Sequence, residues 1–316
     1  MFKRILLYIV LILSLLYLTR YVVHLGLRES KSGIFKKFSV MFLENNDYEN
    51  IFIGSSRAEC HFNPLIFDSI TGFNSFNIGV SGSNNAFTFA ILKSYLANSK
   101  PPRQIIFNLD FHFAHESSDT IYEFPRFFPY LSNDVLYKEL NKIDSRFTLF
   151  KYFPFISLPQ MNDKYLNWSL RGWLNQSSAY DRSGQKGNLK IIPLEYKNID
   201  SIKQAPYKAY ILQENLDYLD SIINLSHQIN ATLIAVISPT YKEGLLKITN
   251  YKEHLEKFSK FLKSRRVFLF DYSEDEMCVQ KKFFADYYHM KGIGCDTFSL
   301  KFALDFKKNV LQNQDK

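Results

Sequence analysis

A serine near the start of the chain and an Asp-x-x-His segment near its end have the residue types of a nucleophilic catalytic site. Ser56 follows the short apolar run 51–53 and Gly54, a pattern typical of a buried strand that ends in a tight turn. Asp286 and His289 are three residues apart, so their side chains can converge on one point. A serine hydroxyl needs a neighbouring base, and a carboxylate can orient that base. We therefore predict Ser56 as nucleophile, His289 as base and Asp286 as its orienting group.

Two nearby residues compete for these roles. Ser55 shares the turn of Ser56 and is the alternative nucleophile. Asp271 ends the last predicted strand and is an alternative orienting carboxylate, although its expected role is to cap a turn. Glycine-serine turns are common, so the serine motif gains its weight from the distant Asp-x-x-His segment.

Three motifs of the chain resemble those of the SGNH/GDSL hydrolase superfamily, and the resemblance covers most of residues 50–312. They are Gly54-Ser55-Ser56, the Asn-x-Gly-x-x-Gly block at residues 77–82, and the Asp-x-x-His of residues 286–289. The resemblance implies a three-layer, flavodoxin-like α/β fold in which helices cover both faces of a parallel sheet. It also implies a Ser-His-Asp triad without a cofactor or metal, and it gives the backbone N–H of Gly82 a role in the oxyanion hole.

One family block departs from its usual form. The Gly-x-Asn-Asp motif, whose asparagine donates to the oxyanion, has no clean match in the strand at residues 105–112. Asn108 and His112 are both candidates for the second donor, and the spacing favours neither. Loss of one such donor typically lowers the rate by about a hundredfold to a thousandfold.

Three further residues are candidate substrate contacts. Arg57 follows the nucleophile, and it either binds an anionic substrate group or pairs with a carboxylate. Asn84 begins a predicted helix whose N–H groups face the loop, so its side chain could orient a ligand. His112 follows a strand end and could line the site.

The first 27 residues predict a transmembrane signal anchor. Apart from Ser14, Thr19, Arg20 and His24, residues 5–27 are apolar and long enough to span a bilayer core of about 20 helical residues. The alternatives are a cleaved signal peptide and a buried helix of a soluble protein; no Ala-x-Ala-like cleavage site is present. We expect a cytoplasmic N-terminus and an extracytoplasmic catalytic domain, with Arg20 snorkelling to the far interface.

The remaining chain predicts a stem at residues 28–49 and an α/β domain at residues 50–312. Strands are expected near residues 51–53, 73–78, 104–110, 232–237 and 267–270, and their alternation with helices indicates a parallel sheet. Helices are expected near residues 34–43, 85–97, 207–229, 251–263 and 293–310. The aromatic-rich stretch from about 113 to 204 breaks this rhythm and predicts a cap insertion over the site. Its rings either stack on sugars or pack the cap against the body.

Composition narrows the function classes. The net charge of +8 favours anionic neighbours or reflects a lysine-rich surface, and no RNA-binding or zinc signature accompanies it. We therefore expect no nucleic-acid partner. The three cysteines predict neither a disulfide framework nor a structural zinc site, and Cys60 is expected to be buried and inert.

These observations lead to a membrane-anchored esterase or O-acyltransferase that acts on acyl esters of cell-envelope polysaccharide. The resemblance is strongest to anchored superfamily members of envelope acylation, such as those of teichoic-acid D-alanylation and alginate O-acetylation. The implied partners are an acyl ester, a glycan, the membrane and, as a further candidate, a membrane-bound O-acyltransferase. Two other hypotheses stay open: an inactive accessory protein that binds glycan or an acyltransferase, and a basic membrane-surface module.

Overall fold

A computed structural model describes residues 1–110, 121–177, 186–189, 199 and 205–312. In these residues five strands form one parallel sheet. The strands are β1 (Asn50–Ile53), β2 (Ser75–Asn77), β3 (Gln104–Asn108), β4 (Thr232–Ile237) and β5 (Phe268–Asp271). Their order across the sheet is β2-β1-β3-β4-β5. This order reverses between β1 and β3, the position where doubly wound sheets usually form their sites.

The helices of the described residues precede, connect and flank the strands. Their bounds are α1 (Phe2–Arg28), α2 (Gly33–Leu43), α3 (Ser56–His61), α4 (Pro64–Thr71), α5 (Asn85–Leu96), α6 (Asp134–Ile143), α7 (Phe147–Tyr152), α8 (Pro154–Ser157), α9 (Asp163–Trp173), α10 (Gln213–Gln228), α11 (Lys242–Leu245), α12 (Tyr251–Ser264) and α13 (Gly292–Phe306). A short π-helical turn, Lys307–Leu311, extends α13.

Alternate residues of the central strands belong to two separate hydrophobic clusters. Ile51 and Ile53 of β1 pack with side chains of α2, α5 and α10. Phe52 between them packs with side chains of α4 and α13. Because both faces are covered, the strands are almost continuously apolar, as is usual for parallel sheets. The predicted α/β fold with a parallel sheet is confirmed.

Two parts of the sequence prediction need correction. Helices α3 and α4 were not expected between the first two strands; side chains of Ser55 and Asn63 accept N–H groups at their starts. Helix α10 begins at Gln213 rather than near residue 207. Tyr207 instead exchanges backbone hydrogen bonds with the segment 247–249.

The described part of the predicted insertion is helical and packs mainly on α1, α2 and α5. Helix α9 crosses α1 where Gly172 meets Gly26. A Cβ atom built on Gly172 would lie 1.8 Å from the carbonyl oxygen of Gly26, so no larger residue fits this crossing. Tyr122 reaches the turn at Gly82. The covering of the site by this insertion stays a prediction.

Helix α1 is long and apolar enough to cross a membrane. Its apolar side chains are exposed from the N-terminus to about Leu15, and Leu16 is the first that is partly buried. This exposure contradicts the alternative of a buried helix in a soluble core. The predicted stem helix is confirmed as α2, and it follows α1 after only four residues.

A buried ion pair joins α2 to the body of the domain. The Lys37 ammonium lies 3.1 Å from a Glu59 carboxylate oxygen, and both side chains are 1% exposed. Lys37 also donates to the carbonyl of Gly79, and the Ser81 hydroxyl donates to Glu59. Burial lowers the pKa of Lys37 below its ordinary value, and the neighbouring Glu59 opposes that shift.

Replacement of Lys37 by methionine should destabilise the protein by about 3–5 kcal/mol, because Glu59 would keep a buried charge without its cation. Urea unfolding measures this loss. The exposed neighbour Lys36 gives the matched control, since Lys36→Met should change the free energy of unfolding by less than about 0.5 kcal/mol. The double variant Lys37→Met/Glu59→Gln should recover part of the loss. Equal effects of Lys37→Met and Lys36→Met would contradict the importance of the pair.

Candidate active site

Ser56, His289 and Asp286 form a continuous chain of hydrogen bonds. The Ser56 hydroxyl oxygen lies 2.8 Å from Nε2 of His289, and Nδ1 of His289 lies 2.8 Å from Oδ2 of Asp286. Since the carboxylate can only accept, the ring carries its proton on Nδ1 and Nε2 accepts from the serine. The histidine and aspartate side chains are 18% and 16% exposed. Although Ser56 and His289 are 233 residues apart in the chain, the three groups therefore meet where solvent can reach them.

The position of Ser56 follows from helix α3. Every residue of α3 is buried except Ser56, which is partly exposed. The helix starts directly at the carboxyl end of β1, and the Ser55 hydroxyl accepts the N–H of Arg57 as its cap. The sequence therefore presents one hydroxyl at the edge of the sheet and buries the rest of the helix beneath it.

A turn brings the Asp286 and His289 side chains of the Asp-x-x-His segment together. Oδ1 of Asp286 accepts the backbone N–H groups of Tyr288 and His289, and its other oxygen reaches the imidazole. Burial opposes ionisation of Asp286, but the bond to His289, its charge and the two N–H groups hold the pKa below its ordinary value. Asp271 instead accepts the N–H of Ser273, so the expected turn cap is confirmed.

A second histidine supports the segment that carries His289. Nε2 of His61, at the end of α3, accepts the backbone N–H of Met290. Its Nδ1 therefore carries the proton and donates to the Ser238 hydroxyl at 2.8 Å. His61 thus connects the helix of the serine to the loop of the base. No signal in the sequence pointed to this role, because α3 itself was not expected.

Arg57 pairs with a carboxylate, which decides between its two predicted roles. Its guanidinium is 0% exposed and lies 2.9 Å from Asp110. It also donates to the backbone and hydroxyl of Ser238 and to Thr240. A substrate contact through Arg57 is therefore wrong for this structure, because all of its side chain is inside the protein. The hydroxyl of Ser55, the alternative nucleophile, donates instead to Asp110.

Asn77 fixes the second family-like block against α3. Its side-chain N–H groups donate to the carbonyls of Ala58 and Phe62 at 2.7 and 3.0 Å. Its carbonyl oxygen accepts the N–H of Gly79 at 3.0 Å. The asparagine and the first glycine of this block therefore shape the turn that leads to Gly82.

The candidate oxyanion and ligand residues are in different environments. Gly82 lies in an exposed turn at φ +77°, where residues other than glycine are strained. Asn108 is 1% exposed and donates to Asp110 at 2.9 Å. Asn84 accepts the N–H of Phe87 as the cap of α5. The oxyanion roles of Gly82 and Asn108 and the ligand role of Asn84 stay predictions, and His112 lies outside the described residues.

A cleft of about 480 Å³ adjoins the turn that holds Gly82 and lies beside α9. Its lining combines charged and aromatic side chains, among them Glu59, Tyr122, Glu123, Arg126, Lys164 and Trp168. The Arg126 guanidinium donates to the Ser81 carbonyl at 2.6 Å and lies over the Tyr122 ring. The cleft can therefore offer both hydrogen-bonding groups and aromatic faces to a polar ligand. Cys60 is buried against Ala285 and takes no part in it.

Neither a scan against protein-family models nor a search of the curated proteins finds a match for this chain. Its function must therefore be argued from the geometry of the site and from the motifs described above.

Replacement of Asp286 by asparagine should lower stability near neutral pH by about 1–3 kcal/mol, since charge-assisted hydrogen bonds are lost. The folded-state pKa of Asp286 is depressed, so its contribution is present above the unfolded value of about 3.9. It disappears as the pH falls through the folded pKa. The stability gap between the two proteins should therefore close in acid.

Urea unfolding at about pH 7 and about pH 3 measures this gap. Asp217→Asn, on the exposed side of α10, is the control and should leave the gap near zero at both values. A gap for Asp286→Asn that persists or widens in acid would contradict the proposed ionisation.

Proposed function

We propose that this protein is a membrane-anchored serine enzyme that cleaves or transfers acyl esters. The hydrogen-bonded chain from Ser56 through His289 to Asp286 carries the proposal. A base that accepts from the hydroxyl, and a carboxylate that accepts from the base, are the two requirements for an activated serine. Distances of 2.8 Å in both bonds meet the geometric requirement for proton transfer.

In the proposed reaction the Ser56 oxygen attacks the carbonyl carbon of an ester, and its proton moves to Nε2 of His289. The N–H groups of Ser56 and Gly82 bind the negative oxygen of the tetrahedral intermediate. The intermediate then expels the alcohol, which takes the proton from His289, and an acyl-serine remains. Water or a second hydroxyl repeats the sequence in reverse and releases an acid or a new ester.

The SGNH class is part of the proposal. It is supported by the strand order, by a serine at the carboxyl end of β1, and by an Asp-x-x-His segment directly before α13. The Asn77–Gly79 hydrogen bond and the glycine turn at Gly82 agree with the family's second block. The three-layer arrangement of that family is compatible with helices packed on both sheet faces.

An envelope polysaccharide is the proposed acceptor, and the extracytoplasmic face of the membrane the proposed location. The apolar helix α1 would keep the site close to the bilayer, where envelope polymers are assembled and modified. The cleft beside Gly82 contains Trp168 and Tyr122 for stacking on a sugar and charged groups for its hydroxyls. A membrane-bound O-acyltransferase is a candidate donor of the acyl group.

The second candidate is an inactive accessory protein that uses the same cleft to bind glycan. The engagement of Asn108 with Asp110 favours it, because this amide already has one partner other than a substrate oxyanion. The bonded triad favours the enzyme. Chemical reactivity of Ser56 separates the two.

The folded, full-length protein should form a covalent adduct with a fluorophosphonate probe at Ser56, identified by peptide mass spectrometry. Ser56→Ala should abolish the adduct, and it should lower turnover of an acetyl ester by up to roughly 10⁶-fold. The exposed Ser264→Ala is the matched control and should react like the parent protein. A folded protein that gives no adduct would exclude the enzyme and favour the accessory role.

Gly82→Ala should lower the turnover number by about 10²–10³-fold, because an added Cβ distorts the turn whose N–H is assigned to the oxyanion. That Cβ would lie 2.4 Å from Cβ of Tyr122. Gly72→Ala is a matched control: Gly72 has φ +78°, and no atom lies within 4 Å of its added Cβ. It should cost about 1 kcal/mol of stability without affecting the turnover number.

The double variant Tyr122→Gly/Gly82→Ala removes the overlap, since glycine lacks the Cβ that would be hit, while the positive φ remains. Recovery of activity in this variant would show that the collision with Tyr122 causes the defect. Full activity of Gly82→Ala would exclude the turn from the oxyanion hole.

A further inference from the structure

A group of exposed apolar side chains lies on α7, α8 and α9 and on the residues that follow them. We call this surface the apolar shelf; it consists of Leu149, Tyr152, Phe153, Phe155, Leu166, Leu170, Trp173 and Leu174. These side chains are between 41% and 58% exposed. A large exposed apolar cluster on a protein surface usually marks a site of contact with another protein or with a membrane.

The shelf continues the surface of α1. The Tyr17 hydroxyl donates to the carbonyl of Tyr152 at 2.6 Å. The Trp173 indole N–H donates to the carbonyl of Val22 at 3.0 Å. Shelf and helix are thus connected by direct hydrogen bonds along one side, so any layer that surrounds α1 at this level also meets the shelf.

The length of α1 determines the depth in the bilayer at which the shelf lies. Lys3 and Arg4 place its start in the headgroup region on one side. Residues 5–15, all of which are exposed, extend over only about 16 Å at 1.5 Å per residue. The hydrocarbon core is about 30 Å thick. Roughly the second half of the crossing must therefore use the part of α1 that already contacts the rest of the protein.

Arg20 gives independent support. A charged side chain inside the hydrocarbon core is costly unless it finds partners. The Arg20 guanidinium donates to the carbonyl of Lys151 at 2.7 Å, between shelf residues Leu149 and Tyr152. The chain thus supplies its own acceptors for the arginine in the middle of α1. These carbonyl acceptors matter most in the hydrocarbon core, where the guanidinium finds no water to bind.

We propose that the apolar shelf is immersed in the leaflet away from the N-terminus and completes the membrane-embedded part of the protein. This inference rests on the membrane anchoring in the proposed function. The occupant of the surface is lipid acyl chain rather than a second protein, because the missing thickness of the crossing lies at this level. The domain is thus a partly embedded body, with α7–α9 as its lipid-contacting base.

Quenching of tryptophan fluorescence by brominated lipid tests the proposal. The full-length protein is reconstituted in vesicles of phosphatidylcholine and phosphatidylglycerol with or without bromine at mid-chain. The chain has two tryptophans, so Trp168→Phe leaves Trp173 as the only emitter. In the background without either tryptophan, Phe155→Trp reports the shelf and Leu304→Trp reports α13. Positions 173, 155 and 304 have exposures of 51%, 51% and 52%, so they are matched in access.

Emission from positions 173 and 155 should lose most of its intensity in brominated vesicles, and emission from position 304 should not change. The unaltered protein should show intermediate quenching, which also serves as a folded reference. Equal, weak quenching at all three positions in protein that resists carbonate extraction would overturn the embedded shelf and leave the anchor intact. Protein that carbonate removes would overturn anchoring as well.

Quenching of the same tryptophans by aqueous iodide shows whether water or another protein copy, rather than lipid, covers the shelf. Strong iodide quenching at 173 and 155 means that water covers the shelf, and shielding from both bromine and iodide means that another copy covers it; either result overturns the proposal. Fluorophosphonate labelling of Ser56 in the same samples reports the catalytic proposal separately, so the failure of one can be distinguished from the failure of the other.

Discussion

The site depends on the buried hydrogen bonds that helix α3 makes with the loops around it. Three polar side chains of this six-residue helix point in different directions: Arg57, Glu59 and His61. Arg57 binds Asp110 and the loop after β4, Glu59 binds Lys37 of α2, and His61 binds the segment that carries the base. Each of these groups is costly to bury alone, and pairing offsets part of that cost. Alternative positions of the loops would therefore leave a charge or a ring nitrogen unsatisfied.

This network explains how two distant parts of the chain hold a short contact. Ser56 and His289 are on elements that share no backbone pairing, yet the histidine of α3 accepts the N–H directly after His289. His289 is thus located relative to the same helix that presents Ser56. Pre-organised groups lower the cost of reaching a transition state. The polar interior of α3 is in this sense as important for the site as the exposed triad.

Much of the fold and the triad could be predicted from sequence because their signals are local. Apolar runs such as that of β4 mark buried parallel strands, and Asp286 with His289 lies within one turn. Arg57 and His61 could not be assigned, since their partners come from the ends of other strands. Helix α3 is too short for its periodicity to be visible. The start of α10 was misplaced because a long-range pairing at Tyr207 competes with local helical preference.

The close crossing of Gly26 and Gly172 has a mechanical consequence. Many tethered domains hang from their anchor on a flexible linker and sweep through a large volume. Here α1 is clamped to α9 without room for a side chain between them, and only four residues separate α1 from α2. As a membrane anchor, α1 would therefore be rigidly attached to the domain. With α1 in a bilayer, Ser56 would stay at one fixed height above the lipid, so any ligand would have to approach it at that height.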